Sequence, residues 1–249
     1  MGNDCRPCSN LLAGWRVVRL PAWLFSLLCT CMSVVRDSHG SDPAPNASVP
    51  YRAELVRKAL HVATALLVPF FMLHVEEHVI TPLLALGAIV GVGADGMRAW
   101  HPGVHRFIRH VFGSIMRPEE LPAVGDGWSM NGATSVLVGA ALLALLFPMS
   151  LAAAVLASTL VADAAAALIG RQWGRHLWPG TQHTLEGSLA FLGAGTVVWA
   201  LASSAPAYAG LPGLLAAACI EALPLPINDN ISVPLAAAAV LSALGIGMG

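Results

Sequence analysis

The sequence predicts an all-α fold, a polytopic membrane bundle of about seven transmembrane helices with one further helix lying at the interface. Three observations predict it. The 249-residue chain is 56% hydrophobic and only 11% charged, with a mean hydropathy of +0.69, more apolar than a water-soluble domain of ordinary composition. Its apolar residues fall into separated runs, and its lysines and arginines fall on alternate connections between them.

The runs lie at about 59–73, 79–97, 132–148, 151–169, 187–203, 211–224 and 231–248. Several are shorter than the roughly 20 residues that a perpendicular span needs, so tilt, local thinning or extension into flanking polar residues must supply the rest. Residues 98–131 form a polar connection too long for a tight turn. It carries His105, Arg106, Arg109 and His110 among Phe107, Ile108, Val111 and Phe112, the pattern of an interfacial amphipathic helix. Residues 1–50 read as an N-terminal extension of separate character, with one apolar run at 20–35 between Arg19 and Arg36, and residues 51–249 as the membrane-embedded domain. The run at 20–35 suits a signal anchor, an interfacial helix or a poorly chosen start of translation. A cleaved signal peptide is disfavoured, because cleavage would export Arg52, Arg57 and Lys58 against the charge pattern of the core.

Sorting the connections by basic residues gives a topology. Arg52, Arg57 and Lys58 precede the first run. Arg98, Arg106, Arg109 and Arg117 lie between the second and third, and Arg171 and Arg175 between the fourth and fifth. The other connections and the C-terminus carry no lysine or arginine. The positive-inside rule then expects an integral protein of the cell inner membrane whose basic face is cytoplasmic. The near-neutral net charge of −1 gives no footprint for nucleic acid. Cys5, Cys8, Cys29, Cys31 and Cys219 form neither a zinc pattern nor a supported disulfide framework. Nothing in the sequence specifies an oligomeric state.

Beyond Asp126 the acidic side chains are Asp163, Glu186, Glu221 and Asp229, and the basic ones are Arg171 and Arg175. A carboxylate at membrane depth costs roughly 2.5–3.5 kcal/mol on insertion scales, so it is kept where it faces a partner, a metal or a watery cavity. Asp163, Gly170 and Gly174 fall at i, i+7 and i+11, on one helical stripe. For the two glycines alone, close helix-to-helix contact is the simpler reading. With Asp163 below them and Arg171 and Arg175 at the helix end, the stripe also suits a magnesium-bound phosphate chain held close to backbone. Thr184 can cap the fifth run, whose first-turn amides favour an anion, and Glu186 in that turn complements the macrodipole or binds metal. Glu221 precedes Pro224 and Pro226, and Asn228, Asp229 and Asn230 then present amide, carboxylate and amide in succession. Non-helical backbone at this depth must line a cavity or be buried in protein, and oxygen donors of this kind suit magnesium.

Nearer the N-terminus, Glu54, Arg57, Lys58 and His61 share one helix face. That face is either a snorkelling collar or a phosphate-facing surface, and His61 lies a turn deeper in the apolar run, where an imidazole needs a partner. Asp95 and Arg98 lie one turn apart. Arg117, Glu119 and Glu120 precede Asn131-Gly132-Ala133-Thr134, and structural pairing accounts for these groups.

In motif content and order, the chain from about Glu54 onward resembles the CTP-dependent lipid-alcohol kinases, the family of dolichol kinase, phytol kinase and the CTP-using diacylglycerol kinase. Glu54 to His61 resembles the family's opening motif, and Arg117 to Thr134 its Arg, Glu and Asn-Gly-Ala-Thr stretch. Asp163 to Gly174, followed by Thr184-Leu185-Glu186-Gly187-Ser188, resembles its CTP-binding segment. Glu221 with Asp229 and Asn230 resembles its late acidic motif. The resemblance implies a membrane kinase with CTP as donor, Mg2+ as cofactor and a polyprenol, phytol or similar lipid alcohol as acceptor. Lys58, Gly170, Arg171, Gly174, Arg175, Thr184, Glu186, Gly187, Ser188 and Asn230 would contact the nucleotide. Asp163, Glu186, Glu221 and Asp229 would hold metal, and Asp163, Asp229 or His61 would take the acceptor's proton. One position departs from the pattern: His183 stands where the family usually has lysine just before Thr-x-Glu-Gly-Ser.

Two other readings use the same residues. A phosphatidate cytidylyltransferase also needs magnesium, CTP and membrane carboxylates, but releases pyrophosphate where a kinase releases CDP. A carrier would use the carboxylates and broken helix for translocation. The absence of an internal repeat and the crowding of charge toward one face count against the carrier.

Overall fold

The computed structural model describes residues 63–64, 66–112, 116, 121–178, 181, 183–223, 225 and 227–247. The N-terminal extension, with Glu54, Arg57, Lys58, His61, Arg117, Glu119 and Glu120, lies outside the described residues. The rest is helical. α1 (66–74) is followed by α2 (Glu77–Trp100), α3 (Pro102–Phe112), α4 (Gly132–Leu146), α5 (Met149–Trp173), α6 (Leu185–Ala202), α7 (Leu211–Glu221) and α8 (Asp229–Ala243). A short 3-10 turn, Ala207–Gly210, leads into α7. Among the described residues there is no strand, and the one extended pairing is an isolated bridge between Leu177 and Thr184.

Each apolar run that falls within the described residues contains a helix, and local chemistry sets the ends. Asn131 caps α4, its side chain accepting from the amides of Ala133 and Thr134. Thr184 caps α6 by accepting from Gly187, and Asn228 caps α8 by accepting from Asn230. α8 gives way to a turn at Gly245, whose φ of 71° is open to glycine and strained for most other residues.

By length and composition α2, α5 and α6 are able to cross a membrane. α4 and α8 stop at 15 residues and α7 at 11, at most about 22 Å of helix against a hydrocarbon core of about 30 Å. Among the described residues this criterion gives three candidate spans, and the expected count of about seven is not confirmed. Apolar runs outlast their helices because Phe147–Pro148 ends α4 and the glycine turn ends α8.

α5 is the central helix. Every residue from Leu151 to Leu160 is buried, and small side chains on most faces let its neighbours approach closely. α6 packs along it most extensively, α7 pairs with α8, and α4 lies between α2 and α8. Phe191 and Trp199 of α6, Leu143 of α4 and Leu241 of α8 fill the gaps. The outward faces of α2 and α6 are apolar, with Leu83, Ile89, Val90, Leu189, Val197 and Leu201 all exposed. So much uncovered apolar surface on helices of spanning length is what a membrane protein presents to lipid.

Side-chain and backbone contacts bring the ends of α2, α5 and α7 to the same side as the starts of α4, α6 and α8. Asp95 meets Asn131, Gly170 packs on Gly187, His183 stands by Glu221 of α7, and Asn230 of α8 reaches Ser135 of α4. This side is called the polar rim below.

Candidate functional site

Three of the four late acids meet at the rim. Asp163 projects from α5 nearly three turns before its C-terminal end, Glu221 closes α7, and Asp229 opens α8. Together with Asn230 and Thr159 they line one cavity, floored by Leu160, Phe191, Val233 and Pro234. The cavity holds about 20 Å³, room for a water molecule or a small cation. The helices that build it, α5 and α8, carry no charged residue below Asp163 and Asp229, so their charge lies only toward the rim.

Asn230 is held from outside the cavity. Its side-chain amide donates to Ser135 Oγ at 3.0 Å, and Ser135 in turn donates to the carbonyl of Gly132 at 2.8 Å. Asn230 backbone lies directly over Gly139, where a side chain would collide with its carbonyl. The start of α8 is thus pinned to α4, and Asp229 with it. Beyond Ser135 the polar chain continues into a buried cluster. Asp95 accepts from the Asn131 side-chain amide at 2.8 Å and the Asn131 backbone amide at 3.0 Å, and pairs with Arg98 Nη2 at 3.1 Å. Arg98 also donates to the carbonyl of Ser129 at 2.8 Å. Asp95 and Arg98 are 1% and 2% exposed, so their pairing is structural, as the sequence expects.

Glu186 does not join the other acids. Residues 176–178 pair with 183–185 as a hairpin closed by the Leu177–Thr184 bridge, which brings His176 onto α6, where its Nδ1 lies 2.6 Å from Glu186 Oε1. The His176 amide donates to the other carboxylate oxygen at 3.3 Å. His183, on the same hairpin, stands 3.9 Å from Glu221 Oε1. Glu221, 14% exposed, therefore touches both the cavity and the hairpin. His183 is thus the residue that connects the two.

Gly170, Gly174 and Gly187 form a close crossing of α5 and α6 around Thr184. A β-carbon on Gly170 would sit 2.8 Å from Thr184 Oγ1, and one on Gly187 would sit 3.1 Å from the Ala166 carbonyl. Close helix contact accounts for these glycines. Gly170→Val is expected to overpack the crossing and lower stability by about 1–3 kcal/mol, seen as an earlier unfolding transition in detergent. Ser188 accepts from Trp178 Nε1 at 3.0 Å, and Arg171 and Arg175 are exposed beside the hairpin.

Among the described residues no three His, Cys, Asp or Glu side chains lie close enough to enclose a metal ion by themselves. The donor set at the cavity is nevertheless all oxygen. That suits magnesium, which is commonly held by one or two carboxylates with waters and substrate phosphates completing its octahedron.

Sequence reasoning missed Thr159, Ser135 and His176. Thr159 stands four residues before Asp163, one turn away on the same helix face, and that spacing could have found it. Ser135 follows the Asn-Gly-Ala-Thr stretch directly, although its link to Asn230 depends on tertiary packing.

No protein-family model matches the sequence, and no solved structure matches it. The chain is 26% identical to an uncharacterized protein of Rickettsia prowazekii (strain Madrid E), over 73% of this chain and 90% of that one.

Proposed function

We propose that the chain is a membrane-embedded kinase that transfers the γ-phosphoryl group of CTP to the hydroxyl of a polyprenol, phytol or similar lipid alcohol. The observation that carries this reading is the meeting of Asp163, Glu221, Asp229 and Asn230 at one cavity although they come from three helices. In the transfer, the acceptor oxygen forms a bond to the γ-phosphorus, the bond from that phosphorus to the bridging β–γ oxygen breaks, and CDP leaves. The acceptor's proton passes to a carboxylate at the cavity, Asp163 or Asp229, with His61 a third candidate outside the described residues. Phosphoryl transfer demands chiefly alignment and charge neutralisation. Magnesium held by one or two of Asp163, Glu221 and Asp229, with waters and the phosphates completing its shell, would supply neutralisation at the phosphates. Arg171 and Arg175 add positive charge at the rim, with Lys58 as a further candidate. Glu186, engaged by His176, orders the hairpin beside the cavity and is the weakest of the expected metal ligands.

In this reading the chain crosses the cell inner membrane about seven times, the shorter helices spanning by local thinning and by extension into flanking residues, and the rim faces the cytoplasm. The basic residues Arg98, Arg171 and Arg175, all on the rim side, support that orientation. The choice of CTP rests on the resemblance alone.

The test offers the purified full-length chain CTP labelled at the α- or the γ-phosphate, with polyprenols, phytol, diacylglycerol and phosphatidate as acceptors. The expected result is γ-label in the lipid with release of CDP. Transfer of α-label with release of pyrophosphate would establish the cytidylyltransferase instead. No transfer with measurable solute flux would establish a carrier.

A further inference from the structure

The short helix α3 has a surface that the protein itself does not use. Its eleven residues begin one residue after α2 ends. α2, at 24 residues, is about 36 Å long, so a helix that spans the hydrocarbon leaves α3 at headgroup depth. Around α3 three arcs are distinct. Val104, His105 and Ile108 are half-buried toward the protein. Phe107 and Val111, four residues apart, are 64% and 45% exposed. Arg106, Arg109 and His110 occupy a third, exposed arc, and α3 contains no acidic residue. At the end of α2, Met97 and Trp100 are also exposed.

We infer that α3 lies half-immersed in the membrane interface and that Arg106 and Arg109 bind the headgroup phosphates of anionic lipids. Two large exposed apolar side chains beside two guanidinium groups that pair with no carboxylate among the described residues match a leaflet that is apolar below and negatively charged above. Arginine suits this task because its planar fork takes two phosphate oxygens at once. The inference uses only the membrane character of α2 and stands whatever reaction the rim performs.

The experiment places a nitroxide, through a keto-bearing unnatural amino acid that leaves the native cysteines untouched, singly at positions 106, 107, 109 and 111 of the full chain. The labelled proteins are compared in nanodiscs of phosphatidylcholine with and without phosphatidylglycerol. Positions 107 and 111 are expected to show a severalfold higher ratio of oxygen to aqueous nickel-chelate accessibility than 106 and 109. Adding phosphatidylglycerol should deepen 107 and 111. With the label at 107 or 111, Arg106→Gln with Arg109→Gln should abolish that response, and Arg106→Lys with Arg109→Lys should retain at least part of it. Equal aqueous access at all four positions would overturn the interfacial placement. So would closure of 107 and 111 to both reagents, which would mean a protein cover. Immersion indifferent to phosphatidylglycerol would overturn the anionic-lipid assignment.

Discussion

Replacing Asp95 by alanine is expected to destabilise the protein by about 3–5 kcal/mol, the cost of breaking a buried charge pair by removing one partner. The substitution removes the counter-charge that Asp95 gives Arg98 and two acceptor oxygens used by Asn131. Because Asn131 caps α4, the loss would spread to the start of that helix and to the junction of α2 with α4. Tryptophan fluorescence during thermal unfolding in detergent would read it. The double change Asp95→Leu with Arg98→Met should recover part of the loss, since an apolar pair of similar bulk leaves no unbalanced charge. A single variant that unfolds with the wild type would refute the role given to the cluster.

Asp163→Asn is expected to reduce lipid phosphorylation by about 10²- to 10⁴-fold while leaving the unfolding transition nearly unchanged. Asparagine keeps the shape of the side chain at the cavity and removes its charge, and with it the ability to accept a proton or neutralise a cation. The ground for expecting this at Asp163 is position: it is the deepest of the three acids along its helix and lies next to the apolar floor made by Leu160 and Phe191. Asp229→Asn, at the more exposed mouth, should act in the same direction. Full turnover by the Asp163 variant would remove the acid from the chemistry.

The helices were legible because their periodicity, caps and breakers are local. The runs at 79–97, 151–169 and 187–203 correspond to Glu77–Trp100, Met149–Trp173 and Leu185–Ala202, and Thr184 caps α6 as its sequence context suggests. The number of spans was less legible, since hydropathy counts apolar residues wherever they fall, whereas hydrogen bonding decides how many are helical. The site divides in the same way. Asp163, Glu221 and Asp229 could be singled out by the cost of burying charge, and their shared cavity follows from the alternation of helix directions. Glu186 satisfies the same local rule but is diverted by His176, which a hairpin delivers from ten residues upstream. No spacing rule announces that contact. Gly170 and Gly174 illustrate a case in which the packing half of the expectation is visible, as close contact with Thr184.

The connections between helices are unequal at the two ends of the bundle. Away from the rim, Val75 and Glu76 alone separate α1 from α2, and Phe147 and Pro148 alone separate α4 from α5. At the rim the links are the stretches 101–131, 174–184 and 222–228. The α6–α7 link, residues 203–210, also lies away from the rim and is longer. Two helix pairs, α1 with α2 and α4 with α5, are therefore hinged tightly at the far end, and any parting within either pair opens toward the end where the acids sit.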